Sequence, residues 1–122
     1  IEFNYRGIEC RSKIDLINHD LGLIIDLKTI NSCERAENEV KYNYNRQGAF
    51  YKLAVQNEYG IDYDVVFVFV EKSYPHLCKF IDFSNDTIEK GKMEYNRILD
   101  KWIEYVNNPN MYIGYNSNII IV

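Results

Sequence analysis

Three charged side chains interrupt two neighbouring runs of β-forming residues near the start of the chain. Asp15 lies within the segment CRSKIDLI, and Asp26 and Lys28 lie within the segment LIIDLK. A charged side chain in a strand lowers stability unless solvent or a partner compensates for it. Carboxylates are also the ligands that hard divalent cations prefer, and a lysine beside them can stabilise charge on a phosphate. This chemistry requires that sheet pairing brings the three residues together.

Turn-forming residues between the two runs predict a β-hairpin whose turn is centred after Asp20. In that register Asp15 lies opposite Asp26, and the Cβ atoms of opposed residues are about 4.5–5.5 Å apart. Two ionised carboxylates at this separation repel, so a divalent cation with oxygen ligands, Mg²⁺ or Mn²⁺, would stabilise the pair. Lys28 would point to the same side as Asp26, because side chains alternate along a strand. The opposite face would be apolar, and we expect it to pack on a helix: Ile14, Leu16, Ile25 and Leu27.

The same charges fit a second interpretation, in which they lie on a solvated sheet face. Lys13 would then pair with Asp15, and Asp26 with Lys28, as on many antiparallel sheets. A slip of one residue in the register would also move the charges to the other face. The hairpin taken alone favours this simpler interpretation over a metal site.

A second group of polar residues lies in the helical pattern that follows the hairpin. Helix-type spacing extends from a Ser32 cap to Tyr59, and Gly60 is a typical stop. Within it, Gln47 and Tyr51 lie four residues apart and therefore on one helix face. Such a group can be a surface cluster or a packing seam. Following a hairpin with two carboxylates and a lysine, it favours a functional site.

The order of the predicted elements indicates an α/β (α+β) fold with a mixed central sheet flanked by helices. Alternating or β-branched patterns predict strands over residues 2–6, 8–17, 23–28, 63–71 and 78–83. The strand over 63–71 is expected to be buried on both faces. Helices are predicted over residues 32–59, with a break near 42–45, and from a Ser84 or Asn85 cap through residues 88–106. The apolar tail 118–122 is expected to be an edge strand or a partner contact.

Composition limits the class of protein. The chain has 122 residues, which predicts a single domain over 1–122. No apolar run approaches the roughly 20 residues of a membrane span, so no membrane partner is expected. The cysteines form no CxxC pair, which argues against zinc and favours reduced thiols in the cytoplasm: Cys10, Cys33 and Cys78.

The charge balance argues against a protein that binds nucleic acid by electrostatics alone, because the net charge is -4. It does not exclude a nuclease, since metal-binding carboxylates themselves make a chain acidic. Three cations of the first helical pattern either follow a DNA backbone or form a solvated helix face: Lys41, Arg46 and Lys52.

Taken in order, these elements resemble the PD-(D/E)XK nucleases. The first aspartate of that family matches Asp15 in SKID, and its DxK element matches Asp26 to Lys28 in IIDLKT. The QxxxY element of the RecB-like branch matches Gln47 and Tyr51 in QGAFY. Within that branch, the chain is similar to the RecE-type exonucleases of phage origin. The resemblance covers residues 6–106 and implies a restriction-endonuclease-like core.

The resemblance implies hydrolysis of DNA phosphodiester bonds with Mg²⁺ or Mn²⁺. The metal ligands it implies are Asp15, Asp26 and the backbone carbonyl of Leu27. Lys28 would orient the attacking water or neutralise the phosphate, and Gln47 and Tyr51 would position the phosphate or support the site. For the complete protein it implies a 5′→3′ exonuclease on double-stranded DNA ends. Such an enzyme acts in recombination, as a homo-oligomer beside a single-strand annealing recombinase.

Two departures from the family pattern accompany the resemblance. Asn45 lies near the position where related enzymes often carry a histidine. The family also has a helix with another metal ligand before its first strand, so we expect the nuclease domain to be N-terminally incomplete. Three alternatives are an endonuclease of the same superfamily, a catalytically inactive DNA-binding or assembly module, and an iron–sulfur nuclease of CRISPR adaptation. The last would need a cysteine cluster after the core, which the sequence lacks.

Overall fold

The computed structural model describes residues 1–109, which form a four-stranded sheet, a separate hairpin and the helices that pack on them. The hairpin consists of β1 (Glu2–Tyr5) and β2 (Ile8–Arg11). The sheet has the spatial order β3 (Leu16–Asn18), β4 (Leu23–Ile30), β5 (Asp64–Glu71) and β6 (Cys78–Asp82). β4 and β5 are parallel and the other pairs are antiparallel, so the sheet is mixed, as predicted.

The strand predicted over residues 8–17 is two strands in two different sheets. β2 turns back on β1 through Arg6 and Gly7, whose φ values of 55° and 77° form a tight turn. β3 instead pairs with β4, in the predicted register of Leu16 opposite Ile25. The prediction of one continuous strand was wrong because residues 12–15 must pass from one sheet to the other.

The sheet has one covered and one open face, and the covered face is not the predicted one. Ile24 and Asp26 point inward and are 0% and 2% exposed. Leu16 and Leu27, which were expected to pack on a helix, are more than half exposed. The reason is that the inward residues of β4 lie beside the buried residues of β5. Asp26, for example, is paired with Phe67, which the helices cover.

The open side of the sheet is referred to below as the outer face, and it is rich in apolar residues. Leu27, Val68 and Phe80 lie in one row across β4, β5 and β6. Phe80 is 70% exposed and Leu27 is 60% exposed. β5 is therefore fully buried on one face only, which corrects the expectation that both of its faces are buried.

The first helical segment begins and ends at the predicted residues. The Ser32 side chain accepts a hydrogen bond from the backbone N–H of Glu34, and Gly60 ends the segment with a φ of 70°. The break also falls where it was predicted, because a π-helical turn interrupts the segment. Its parts are a 3₁₀ turn (Cys33–Arg35), α1 (Ala36–Glu39), the π turn (Val40–Tyr44) and α2 (Asn45–Tyr59).

The second long helix, α3 (Asn85–Asn107), begins at a Ser84 cap that accepts from the backbone N–H of Thr87. Two glycines bring α2 close to its neighbours. A Cβ on Gly91 of α3 would lie 2.2 Å from the carbonyl oxygen of Asn45, and one on Gly48 would overlap the Phe83 ring. These contacts fix α2 between the sheet and α3.

The predicted tail 118–122 lies outside the described residues. Within residues 1–109, no helix combines the length and the apolar character that crossing a membrane requires.

Candidate active site

Asp26 is a buried carboxylate on the inward face of β4. Its Oδ1 accepts a hydrogen bond from the Tyr51 hydroxyl at 3.3 Å. Its Oδ2 lies 2.9 Å from the Lys28 ammonium, yet no hydrogen bond of good geometry reaches this buried oxygen. Lys28 lies on the same side because it is two residues further along the strand. The interpretation as a solvated charged face therefore does not describe Asp26.

Asp15 lies beside Asp26, just before β3 begins. Its Oδ2 accepts a hydrogen bond of 3.1 Å from the backbone N–H of Leu27. This contact holds the exposed Asp15 carboxylate against the segment of β4 that carries both Asp26 and Lys28. The structure thus brings together the three residues that the hairpin register predicted to meet.

The pKa values of the two carboxylates shift in opposite directions. The Leu27 N–H, and then the contact with Asp26, lower the pKa of Asp15 below its ordinary range. Burial raises the pKa of Asp26, Lys28 opposes that rise, and Asp15 adds to it. Asp15 is therefore the carboxylate that ionises readily, and Asp26 is the one whose charged form burial disfavours despite its ion pair with Lys28.

Tyr51 connects helix α2 to this carboxylate. Its hydroxyl accepts a hydrogen bond from Gln47 at 2.9 Å and lies 3.1 Å from the carbonyl oxygen of Lys13. One hydroxyl proton serves either that carbonyl or Asp26 at any moment. Burial, and then the charge of Asp26, raise the pKa of Tyr51 far above its ordinary value, so it stays a neutral donor. Gln47 reaches Asp26 only through Tyr51 in these contacts.

Aromatic rings hold the Lys28 side chain in place. Its ammonium lies 4.8 Å from the ring centroid of Tyr44 and 5.3 Å from that of Phe67, and the side chain is 20% exposed. Contacts of this kind stabilise a cation over a ring face. The contact with Tyr44 was not predicted, although the position of Tyr44 one turn before Gln47 on the same helix face is a signal that could have indicated it. Phe67 gave none, because its approach depends on β5 pairing with β4.

The donor set fits a hard divalent cation that keeps part of its water shell. No group of three or more His, Cys, Asp or Glu side chains able to hold a metal occurs within residues 1–109. Mg²⁺ is commonly held by one or two carboxylates, with waters and substrate phosphate as the remaining ligands. The buried carboxylate of Asp26, whose Oδ2 has only the ion pair with Lys28 and no hydrogen bond of good geometry within residues 1–109, supplies an oxygen that such a cation could share with Asp15.

The backbone of Leu27 also suits this donor set. Its N–H points to Asp15. In an extended strand the N–H and C=O of one residue point to the same side. The Leu27 carbonyl therefore faces the side on which Asp15 lies, so the predicted third ligand is compatible with the structure.

The fold resembles that of a candidate exonuclease from Eubacterium rectale, whose crystal structure superposes with a TM-score of 0.63. The sequence identity is 19%, and the match covers 80% of this chain and 41% of that chain. This chain thus spans about two fifths of the length of its structural relative. A likeness at this identity establishes the fold, a mixed sheet flanked by helices. The search of curated proteins gives no match.

One protein-family model, described as a PDDEXK-like domain of unknown function (DUF3799), matches residues 2–111. The matched range includes every residue of the site described above. Nucleases of the PD-(D/E)XK type are generally dependent on divalent metals, which agrees with the donor set described above. As the sequence resemblance predicted, the chain belongs to the PDDEXK-like domain family DUF3799, and through it to the PD-(D/E)XK nuclease superfamily.

Proposed function

We propose that the chain is the catalytic core of a metal-dependent deoxyribonuclease. The observation that carries the proposal is the buried carboxylate of Asp26, which lies beside Asp15 and whose Oδ2 is compensated by the Lys28 ion pair at 2.9 Å. A buried carboxylate without full compensation is costly in a protein that does not use it. Family membership supports the same function, because the site residues fall within the matched range.

Asp15, Asp26 and the Leu27 carbonyl would hold Mg²⁺ or Mn²⁺. The bound metal would supply Lewis-acid stabilisation of charge on the phosphate and a water of lowered pKa. Asp15 contributes a carboxylate that is ionised at neutral pH, because the Leu27 N–H stabilises its charged form. Asp26 contributes an oxygen that burial keeps away from competing water.

Lys28 would stabilise negative charge that develops on the phosphate oxygens during hydrolysis. The rings of Tyr44 and Phe67 limit the rotamers of its side chain. Lys28 therefore loses less conformational entropy when it binds a phosphate. Tyr51 would position Asp26, and Gln47 would position Tyr51 through its hydrogen bond. All five residues therefore belong to one proposed catalytic unit: Asp15, Asp26, Lys28, Gln47 and Tyr51.

The finer part of the proposal concerns the complete protein. We infer a 5′→3′ exonuclease on double-stranded DNA ends that acts in recombination, with a homo-oligomeric state and a single-strand annealing recombinase as partner. These points rest on the similarity of SKID, IIDLKT and QGAFY to the RecE-type exonucleases. A cytoplasmic location rests on the three cysteines, which are all free thiols.

Linear duplex DNA labelled at the 5′ or the 3′ ends, offered beside a covalently closed circle, tests this function. Early release of 5′ label in Mg²⁺, with an intact circle and no reaction in EDTA, is the expected result. Asp26→Asn is the inactive control. Digestion of the circle as fast as the linear DNA would favour the endonuclease, and early release of 3′ label would reverse the polarity. Binding of DNA without hydrolysis in Mg²⁺ or Mn²⁺ would favour the inactive module.

A further inference from the structure

A cleft of about 500 Å³ lies between the π turn and α3, outside the site described above. It is called the α3 cleft here. Its lining is rich in cations and includes one aromatic ring and one carboxylate: Lys41, Tyr42, Lys90, Met93, Glu94 and Arg97. None of these side chains belongs to the proposed catalytic unit.

The cations of the α3 cleft stand out in a chain whose net charge is -4. Eight of the fourteen Lys and Arg side chains form ion pairs within residues 1–109. Three of the other six line this cleft: Lys41, Lys90 and Arg97. The carboxylate of Glu94 lies 3.9 Å from Arg46 and is already shared with that cation. The cleft therefore carries positive charge that is not matched within the described part of the chain, and it suits an anion.

The other two cations considered at the sequence level are engaged elsewhere. Lys52 donates a hydrogen bond to the Tyr63 carbonyl and pairs with Asp62, and its side chain is only 16% exposed. Arg46 pairs with Glu94. Of the three, Lys41 alone forms no ion pair within the described part of the chain, so its charge is available to an external partner.

The exposed side chains of the α3 cleft indicate which anion it suits. Tyr42 and Met93 are each 72% exposed, although both are large and largely apolar. Proteins that bind single-stranded nucleic acid combine a basic groove with exposed aromatic rings, on which unpaired bases stack. The bases of a duplex are already stacked on one another and cannot use such a ring in this way. A single strand is therefore the form of DNA that satisfies both the cations and the ring.

The α3 cleft lies close to the proposed catalytic unit. Tyr44 contacts Lys28, and Tyr42 precedes it by two residues on the same π turn. The backbone contact of Gly91 with Asn45 also fixes α3 against the start of α2. We propose that the α3 cleft binds the single-stranded DNA that lies next to the phosphate hydrolysed at the active site, an inference that rests on the proposed nuclease function.

The test compares two double variants of the full-length protein. Lys90→Ala/Arg97→Ala removes two cations from the cleft. Lys72→Ala/Lys101→Ala removes two exposed cations outside it that likewise form no ion pair within residues 1–109. Fluorescence anisotropy in EDTA gives the affinity for a labelled unstructured 12-nucleotide single strand at several KCl concentrations. The first variant should reduce the steepness of the salt dependence by about 1.4, since each single-strand phosphate contact contributes about 0.7. The control should keep the wild-type slope.

A third variant, Tyr42→Ala, should weaken binding about tenfold and leave the salt slope unchanged, because stacking releases no counterions. A wild-type slope in Lys90→Ala/Arg97→Ala, or an equal change in the control, would overturn the cleft proposal. Hydrolysis is measured separately in Mg²⁺ and in Mn²⁺. Cleft-dependent binding by a wild-type protein that hydrolyses nothing would refute the nuclease function and keep the cleft. Hydrolysis of DNA by a protein whose single-strand binding does not depend on the cleft would support the nuclease function and refute the cleft proposal.

Discussion

The hydroxyl of Tyr51 lies 3.3 Å from Oδ1 of Asp26 and joins helix α2 to the buried carboxylate of β4. Gln47 donates to the same hydroxyl from one turn earlier on the helix. A carboxylate that is held from the sheet side by Lys28 and from the helix side by Tyr51 has little freedom to rotate. The QxxxY element of α2 and the DxK element of β4 therefore meet at the side chain of Asp26.

Tyr51→Phe should lower both stability and hydrolysis. The substitution removes the donor to Asp26 and leaves Gln47 without an acceptor, and an unsatisfied buried polar group costs about 1–3 kcal/mol. Urea denaturation gives the stability and a DNA hydrolysis assay gives the rate. Tyr5→Phe is the matched control, since it also removes a hydroxyl with a hydrogen bond, here to Asn96. Tyr51→Phe with full activity would contradict the positioning role.

Lys28→Ala should keep the fold and lower hydrolysis by about 10²–10³, the loss seen when one charge partner of a transition state is removed. Lys72→Ala, which removes an exposed lysine one residue after β5, should leave the rate unchanged. Circular dichroism checks that both variants are folded. A folded Lys28→Ala that cuts DNA at the wild-type rate would show that Lys28 takes no part in the reaction.

Asp26→Asn should abolish the joint binding of a divalent cation. Calorimetric titration with Mn²⁺ is expected to give clear heat for the wild type and little for Asp26→Asn or Asp15→Asn, because each removes a charged ligand. Asp82→Asn is a suitable control, since its carboxylate is exposed and lies on β6. Equal heats in the wild type and in the two site variants would refute the metal site.

Asp26 should also make stability fall with rising pH when EDTA removes divalent metals. Burial raises the pKa of Asp26 above its ordinary 3.8, Lys28 opposes the rise, and Asp15 adds to it. Between those two pKa values the folded state binds a proton that the unfolded chain has released. The contribution of Asp26 to stability is therefore complete below about pH 4 and is lost as the pH rises through the raised pKa. Urea midpoints between pH 4 and 7 should show this loss in the wild type and not in Asp26→Asn, and identical slopes would contradict it.

Gly91→Ala should destabilise the protein by at least about 1–3 kcal/mol, because the new methyl group would overlap the Asn45 carbonyl oxygen. Lys101→Ala, at an exposed position of the same helix, should stay within about 0.5 kcal/mol of the wild type. Thermal unfolding measures both. Equal midpoints in the two variants would show that α3 can shift away from α2.

Part of this site could be predicted because it depends on turn residues and strand alternation that lie close together in the sequence. The turn around Asp20 set the register that brings Asp15 to Asp26, and strand alternation placed Lys28 beside Asp26. The inward direction of Asp26 could not be predicted from the hairpin. It depends on pairing with β5 and on the helices that cover that face, which are distant in sequence. The contact of Lys28 with Phe67 was missed for the same reason.

The apolar outer face of the sheet has a practical consequence for handling the protein in solution. Leu27 and Phe80 expose apolar side chains to water in one row across the sheet, so high concentrations of salts such as sulfate should drive molecules together through this face. A charge at Phe80, as in Phe80→Lys, would oppose such colloidal association without touching Asp26, which points to the other side. Solubility and the proposed hydrolysis can therefore be adjusted from opposite sides of the same sheet.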